Sequence, residues 1–310
     1  MKVVASAPGR CGIVGNPSDI YGGCVVSCSI PARATCTLTL GGEDRLPEDT
    51  RLWDAAVARF PLPSGVQVSW QTDIPRSAGL SGSTALLAAT LACVLKVRGE
   101  EANLLSTDAR ITFAELVRDI EVFEAGVKAG YQDAYMISLG GLRKMEFPGK
   151  HPANPGPFGT TSALDAPLPF LLVTTGVERL SGSVHGPMID RWLAGEALVQ
   201  DTMTRLKELG YEGAERLLAQ DWRGLGALMD ENHRLMADLG GSGEAIDHLI
   251  ARCKFHGAIS AKLAGAGLGG TVIALTEDPS GLQNRLEAEG FTRFMRPEAV
   301  EGVRYELGSN

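Results

Sequence analysis

The order of strand-like and helix-like segments predicts an α+β fold, built as two sandwiches packed side by side with a site between them. Three observations predict it. Short β-branched runs alternate with helical runs without a regular βαβ rhythm. Residues 148–167 hold five prolines and divide the chain into units at 1–160 and 161–310. The length of 310 residues, with 44% hydrophobic and 21% charged side chains, is ample for two cores.

Residues 2–7 and 24–40 read as strands, the second through Val25-Val26 and Thr35 to Leu40. Ala7 to Gly23 between them is too rich in Gly and Pro to be a plain strand. Gly65 to Thr72 is a short strand, followed by the small-residue loop Pro75 to Ala85 and an apolar helix from Leu86 to Val97. Thr112 and Glu115 have the spacing of a capping box, which starts a helix through about Phe123. Glu121 and Glu124 flank its apolar stripe. After Gly126 and Gly130 a second helix runs from about Gln132 to Leu139, Gly140-Gly141 stops it, and Leu142 to Phe147 is a strand. Pro169 to Thr174 is a new strand, and helices follow at 185–208, 212–220, 222–239 and 243–255. Ala258 to Leu263 and Thr271 to Leu275 are strands, 281–289 is a helix, and strand-like pieces end at Tyr305 to Leu307.

A net charge of −8 argues against nucleic acid or an anionic membrane as partner, while leaving room for an anionic substrate in a local basic pocket. The six cysteines, including the lone Cys24/Cys28 pair, show no spacing of a zinc site. No basic-then-apolar leader opens the chain and no apolar run reaches the ~18 residues of a spanning helix. The expectation is a cytoplasmic protein with reduced thiols.

The loop Pro75-Arg76-Ser77-Ala78-Gly79-Leu80-Ser81-Gly82-Ser83-Thr84-Ala85 is the most informative stretch. Its small residues let several backbone N–H groups point one way at a helix start, which makes a phosphate cradle. A flexible turn before a buried helix is the other reading of the loop taken alone. The Gly-Lys-Ser/Thr ending of the common P-loop is absent. Gly265 to Gly270 satisfies GxGxxG, but Thr271 to Thr276 after it is a strand, so the dinucleotide fingerprint fails on context. A glycine turn between strands remains, able to approach a ligand closely or to serve as a tight hairpin.

Ala7-Pro8-Gly9-Arg10, then Gly79-Leu80-Ser81-Gly82-Ser83-Thr84-Ala85, then Lys262-Leu263-Ala264-Gly265-Ala266-Gly267 stand in one order. The chain thereby resembles the GHMP kinase family, from about residue 3 to about residue 276. The resemblance implies a ribosomal S5 domain 2-like N-terminal domain, a ferredoxin-like C-terminal domain, and ATP with Mg2+. Within the family, Gly15-Asn16-Pro17-Ser18-Asp19-Ile20-Tyr21 is similar to the glucuronokinases. So are Ile74-Pro75-Arg76, Gly130-Tyr131-Gln132-Asp133, and Ser183-Val184-His185 with Arg191-Trp192-Leu193-Ala194-Gly195-Glu196. The Gln-Asp segment and Met145-Glu146-Phe147 are shared with heptose-7-phosphate kinases.

Residue by residue, the resemblance implies a nucleotide site at Pro75, Ser77, Gly79, Leu80, Ser81, Gly82, Ser83, Thr84 and Ala85. Ser83 matches the family's metal-contacting serine, or caps the helix, or does both. The usual Gly-Ser order is swapped as Ser81-Gly82, which leaves open which hydroxyl faces the metal. Glu121, twelve residues before Asp133, matches the magnesium carboxylate, with Glu124 as its rival. Asp133 matches the catalytic aspartate, as a base or as an orienting group, and Arg10 matches the first motif's cation. Without the resemblance, Asp133 reads as a helix N-terminal acid and Asp19 as an Asx turn. Asn16, Ser18, Asp19, Tyr21, Asp133, Ser183, His185, Arg191, Gly265, Ala266 and Gly267 are implied on the substrate side, Arg191 either suiting the carboxylate of an acidic sugar or standing as a surface arginine on an amphipathic helix. Lys262 is either a phosphate contact or a strand-end lysine.

The function so implied is phosphoryl transfer from ATP to a hydroxyl of a sugar or uronic acid, by a monomer or homodimer. A heptose-phosphate or mevalonate-type acceptor, and a non-catalytic binding protein on the same fold, are the alternatives.

Overall fold

A computed structural model describes residues 1–176, 182–265 and 270–307, leaving out the side chains of residues 182–184. In chain order the elements are β1 (Lys2–Val14), β2 (Cys24–Leu40), α1 (Arg51–Arg59), β3 (Val66–Thr72), α2 (Gly82–Val97), α3 (Thr107–Asp119), α4 (Gln132–Leu139), β4 (Leu142–Glu146) and β5 (Thr160–Ala163). Then come β6 (Phe170–Thr174), α5 (Gly182–Leu193), α6 (Ala197–Leu218), α7 (Trp222–Asp238), α8 (Glu244–Phe255), β7 (Ser260–Leu263), β8 (Thr271–Leu275), α9 (Pro279–Glu287), β9 (Phe294–Met295) and β10 (Arg304–Tyr305).

Two antiparallel sheets result, one ordered β10-β1-β2-β4-β5 with β3 also on β2, the other β7-β8-β6-β9. β5 belongs to the first sheet through Arg143 opposite Ala163, and the chain's far end returns to it through Ala5 opposite Tyr305. Helix α2, buried from Thr84 to Leu95 apart from half-buried Leu86, fills the space behind β1 and β2, while α8 and α9 cover the second sheet with Ile246, Leu249, Leu282 and Leu286. Among the described residues no helix is long and apolar enough to cross a membrane.

Three differences from the sequence reading have physical causes. β1 continues through the Gly/Pro run to Val14, because register shifts between Pro8 and Arg10 and between Gly12 and Val14 absorb the residues that cannot pair. α3 begins at Thr107, capped by the Ser106 hydroxyl accepting from Ala109 N at 3.2 Å, and Thr112 instead donates back to Asp108 O. Its last turn widens into a π turn over Ile120–Glu124. The long helical region breaks at Ala194 to Glu196 and not near Gly210. Gly210 lies inside α6, where a Cβ would come within 1.9 Å of the Cys24 carbonyl, so the glycine lets α6 press onto β2.

Candidate active site

Strand β1 is the line on which the three glycine-containing motifs meet. Arg10 N donates to Leu80 O at 3.1 Å, and Gly12 N donates to Ala264 O at 2.8 Å. Two backbone N–H groups two residues apart, on the same edge of one strand, thus hold the first loop and the approach to the second loop beside each other. The loops also touch directly: a Cβ on Gly265 would lie 2.6 Å from the Gly79 carbonyl, which only glycine avoids.

Arg10 projects from the same strand to Asp133 in the first turn of α4. Nε reaches Asp133 Oδ1 at 2.7 Å and Nη2 reaches the same oxygen at 2.6 Å, while Nη1 donates to Gly79 O at 2.7 Å. The guanidinium side chain is 6% exposed and the carboxylate 31%, so the pair opens on the aspartate side. Both donors land on Oδ1, which leaves Oδ2 for an incoming hydroxyl.

Asp19 fixes the start of α4. Its Oδ2 accepts Tyr131 N at 2.5 Å and Gln132 N at 2.9 Å, and the residue is 2% exposed. A carboxylate from a distant turn thereby does the work of a helix cap. That gives Asp19 a role the sequence reading did not include: Oδ2 is committed to backbone, and its effect on Asp133 runs through the helix start. From behind, Lys150 pairs with Glu115 at 3.0 Å and the Tyr135 hydroxyl donates to the same carboxylate, tying α4 to α3.

The first loop carries two non-glycine residues in the left-handed region, Ser77 at φ 50° and Ser81 at φ 62°. Such strain persists only where surroundings over-determine it. Ser81 precedes α2, is buried, and its hydroxyl has no partner. Ser83 is exposed on the first turn. Thr84 Oγ1 donates to Glu121 Oε1 at 2.7 Å, and Glu121 Oε2 is buried without a partner. Burial, then the nearby Asp133 charge, pushes the Glu121 carboxyl up to about 7, against the opposing pull of Thr84, Arg118 and Arg10. The rival Glu124 turns to α1, where Arg59 meets it at 3.3 Å. The π turn separates the two glutamates' surroundings.

The second layer reaches the site through Asn16, whose side chain is wholly engaged. Oδ1 accepts from Lys262 Nζ at 2.9 Å, and Nδ2 donates to Gly265 O at 3.3 Å. Asn232 of α7 completes the contact, donating to Asn16 O at 3.0 Å and accepting from Gly15 N at 2.8 Å. Sequence reasoning missed Asn232, although its signal was present: one amide on the stripe of Leu225, Met229 and Met236.

The other described residues expected on the substrate side lie in the turn after β1 and on α5. Ser18 is fully buried and its hydroxyl donates to Cys24 O at 3.2 Å, a contact that closes the turn onto β2. Tyr21 is half-buried against Trp192 with ring centroids 5.7 Å apart, and its hydroxyl is buried without a partner. Arg191 is not a free cation: Nε and Nη2 grip both oxygens of Glu196 at 2.7 and 2.6 Å, because the chain breaks between α5 and α6 and turns Glu196 back. His185 is half-buried near the start of α5. The Ser183 side chain, Ala266 and Gly267 lie outside the described residues.

Two buried oxygens without partners, Ser81 Oγ and Glu121 Oε2, flank a loop at a helix start. They are hard donors of the kind Mg2+ takes, in the small number it takes from protein beside phosphates. The residues present therefore fit a polyphosphate with its divalent cation.

The profile for the GHMP kinases N terminal domain matches residues 50–141, and that for GHMP kinases C terminal matches residues 214–290. The chain is 32% identical over 220 residues to Probable glucuronokinase 2 of Arabidopsis thaliana, covering 69% of this chain and 58% of that one. It is 31% identical over 233 residues to Glucuronokinase 1 of the same plant, covering 73% and 62%. The chain thus spans about three fifths of the length of these relatives. In shape it is similar to Lactococcus lactis galactokinase complexed with galactose, with a TM-score of 0.78 and 17% identity over 98% of this chain and 95% of that one. With both family domains matched in order on a shared fold, the chain belongs to the GHMP kinase family.

Proposed function

We propose that the protein is an ATP-dependent kinase that phosphorylates a hydroxyl of a sugar or uronic acid, in the manner of a glucuronokinase, forming a sugar 1-phosphate. The observation that carries the reading is the Arg10–Asp133 pair, open on the aspartate side and held 2.7 Å from the carbonyl of Gly79 in the phosphate loop. The likeness to two plant glucuronokinases supports the choice of acceptor.

In the proposed reaction the acceptor hydroxyl forms a bond to the γ-phosphorus, the bond from that phosphorus to the β–γ bridging oxygen of ATP breaks, and ADP leaves with the electron pair. Asp133 Oδ2 orients the hydroxyl and takes its proton. Arg10 fixes the other carboxylate oxygen and lends positive charge beside the transferring group. The α2 start and the loop before it receive the phosphates. Ser81, Ser83 and Glu121 would hold Mg2+, which supplies charge neutralisation across the phosphates. Thr84 keeps Glu121 in place.

The test is ATP consumption, with Mg2+, against glucuronate, galacturonate, galactose, arabinose, heptose 7-phosphate and mevalonate. Turnover with one acidic sugar is expected. Turnover with only heptose 7-phosphate or mevalonate would move the acceptor class, and ATP binding without turnover on any acceptor would overturn the kinase reading for this panel.

A further inference from the structure

Lys262, next to last in β7, is 1% exposed, and neither acceptor of its amine is a carboxylate: Asn16 Oδ1 at 2.9 Å and Leu263 O at 2.6 Å. Asn16 passes the connection on to Gly265 O, and Asn232 locks the Asn16 turn from α7. The result is a closed ring, Lys262 to Asn16 to Gly265 and back along three residues of chain. It ends where Gly265 rests on Gly79 of the phosphate loop. Slack in the ring would move the second glycine loop against the first.

We propose that Lys262 is a positioning residue for nucleotide binding: its amine locks the Asn16 turn to the chain entering the second glycine loop, so that Gly265 stays against Gly79. The inference rests on the kinase reading of the site. A cation also serves where a neutral donor would not. Burial pushes the amine down to about 7, with Arg10 adding to the fall. A polyphosphate at the adjoining loops favours the protonated amine, so nucleotide and proton bind together.

The groups facing Lys262 leave that linkage readable. Arg10 and Cys11 face it from β1 and His233 from α7, while Asp230 and Lys254 pair with each other at 2.7 Å near Ser260. Burial pushes the Cys11 thiol up to about 12, far above the amine. His233 is pushed down by burial and by Lys262 itself.

The experiment measures ATP KM and kcat from about pH 6 to about pH 9, with calorimetric ATP binding in two buffers of different protonation enthalpy. In the wild type KM rises as pH climbs past about 7, and binding takes up a proton at about pH 7.5. Lys262→Met is expected to raise KM about tenfold at about pH 7, to hold kcat within about threefold, and to abolish both the KM limb and the proton uptake. Asn16→Asp gives the amine a carboxylate and moves the limb to higher pH. A folded Lys262→Met protein with wild-type KM, limb and proton uptake would overturn the proposal. Should that variant not fold, an unmoved limb in Asn16→Asp would overturn it. Loss of turnover in the wild type would count against the kinase reading, while proton uptake on ATP binding still decides Lys262.

Discussion

Replacing Glu121 by glutamine removes a buried carboxylate while keeping an acceptor for Thr84 Oγ1. The native state pushes this group up from 4.5 to about 7, so it holds a proton that the unfolded chain has released. Its stabilising contribution is fully present below about pH 4.5 and is lost as pH rises through about 7. The difference between the two values amounts to roughly 3 kcal/mol at about 1.4 kcal/mol per pH unit. Urea unfolding in chelator, at steps from about pH 5 to about pH 8, reads it directly. Glu121→Gln is expected to match the wild type at the acid end and to exceed it by roughly 2–3 kcal/mol at about pH 8. Added Mg2+ should narrow the gap by favouring the charged carboxylate of the wild type. Parallel stability curves for the two proteins across the window would contradict the burial argument.

Three further substitutions probe the surroundings. Asp19→Ala orphans two backbone N–H groups at the start of α4; it should cost about 1–3 kcal/mol in urea unfolding and lower kcat through Asp133, with partial recovery in Asp19→Asn. Gly210→Ala drives a methyl into the Cys24 carbonyl and should cost about 2–4 kcal/mol, which a wild-type midpoint would contradict. Arg191→Ala should leave the acceptor KM within about twofold, because the guanidinium is already held by Glu196; a rise beyond about tenfold would put Arg191 on the substrate.

What the sequence made legible was local, the α2 loop and the strand after the second glycine loop, together with one distant pair, Arg10 and Asp133, that the family resemblance supplied. Other partners distant in sequence were not legible. The helix-start contacts of Asp19 were hidden because nothing in its own turn shows that two amides 112 and 113 residues away would claim one of its oxygens. Arg191 looked free because the helix was drawn unbroken past Glu196. Gly210 looked like a break because close packing of a helix on a carbonyl leaves the same mark as a turn. The π turn was invisible, since one extra residue does not disturb the stripe ending at Ile120 and Phe123.

The decisive measurement is single-turnover transfer of labelled γ-phosphate to a uronic acid, in wild type and Asp133→Asn, with ATP affinity measured on the same samples. Transfer should fall by about 10²-fold or more while ATP affinity stays within about threefold, because Asp133 serves the acceptor and not the nucleotide. Transfer at the wild-type rate in Asp133→Asn would show that the Arg10–Asp133 pair is structural and that the chemistry lies elsewhere.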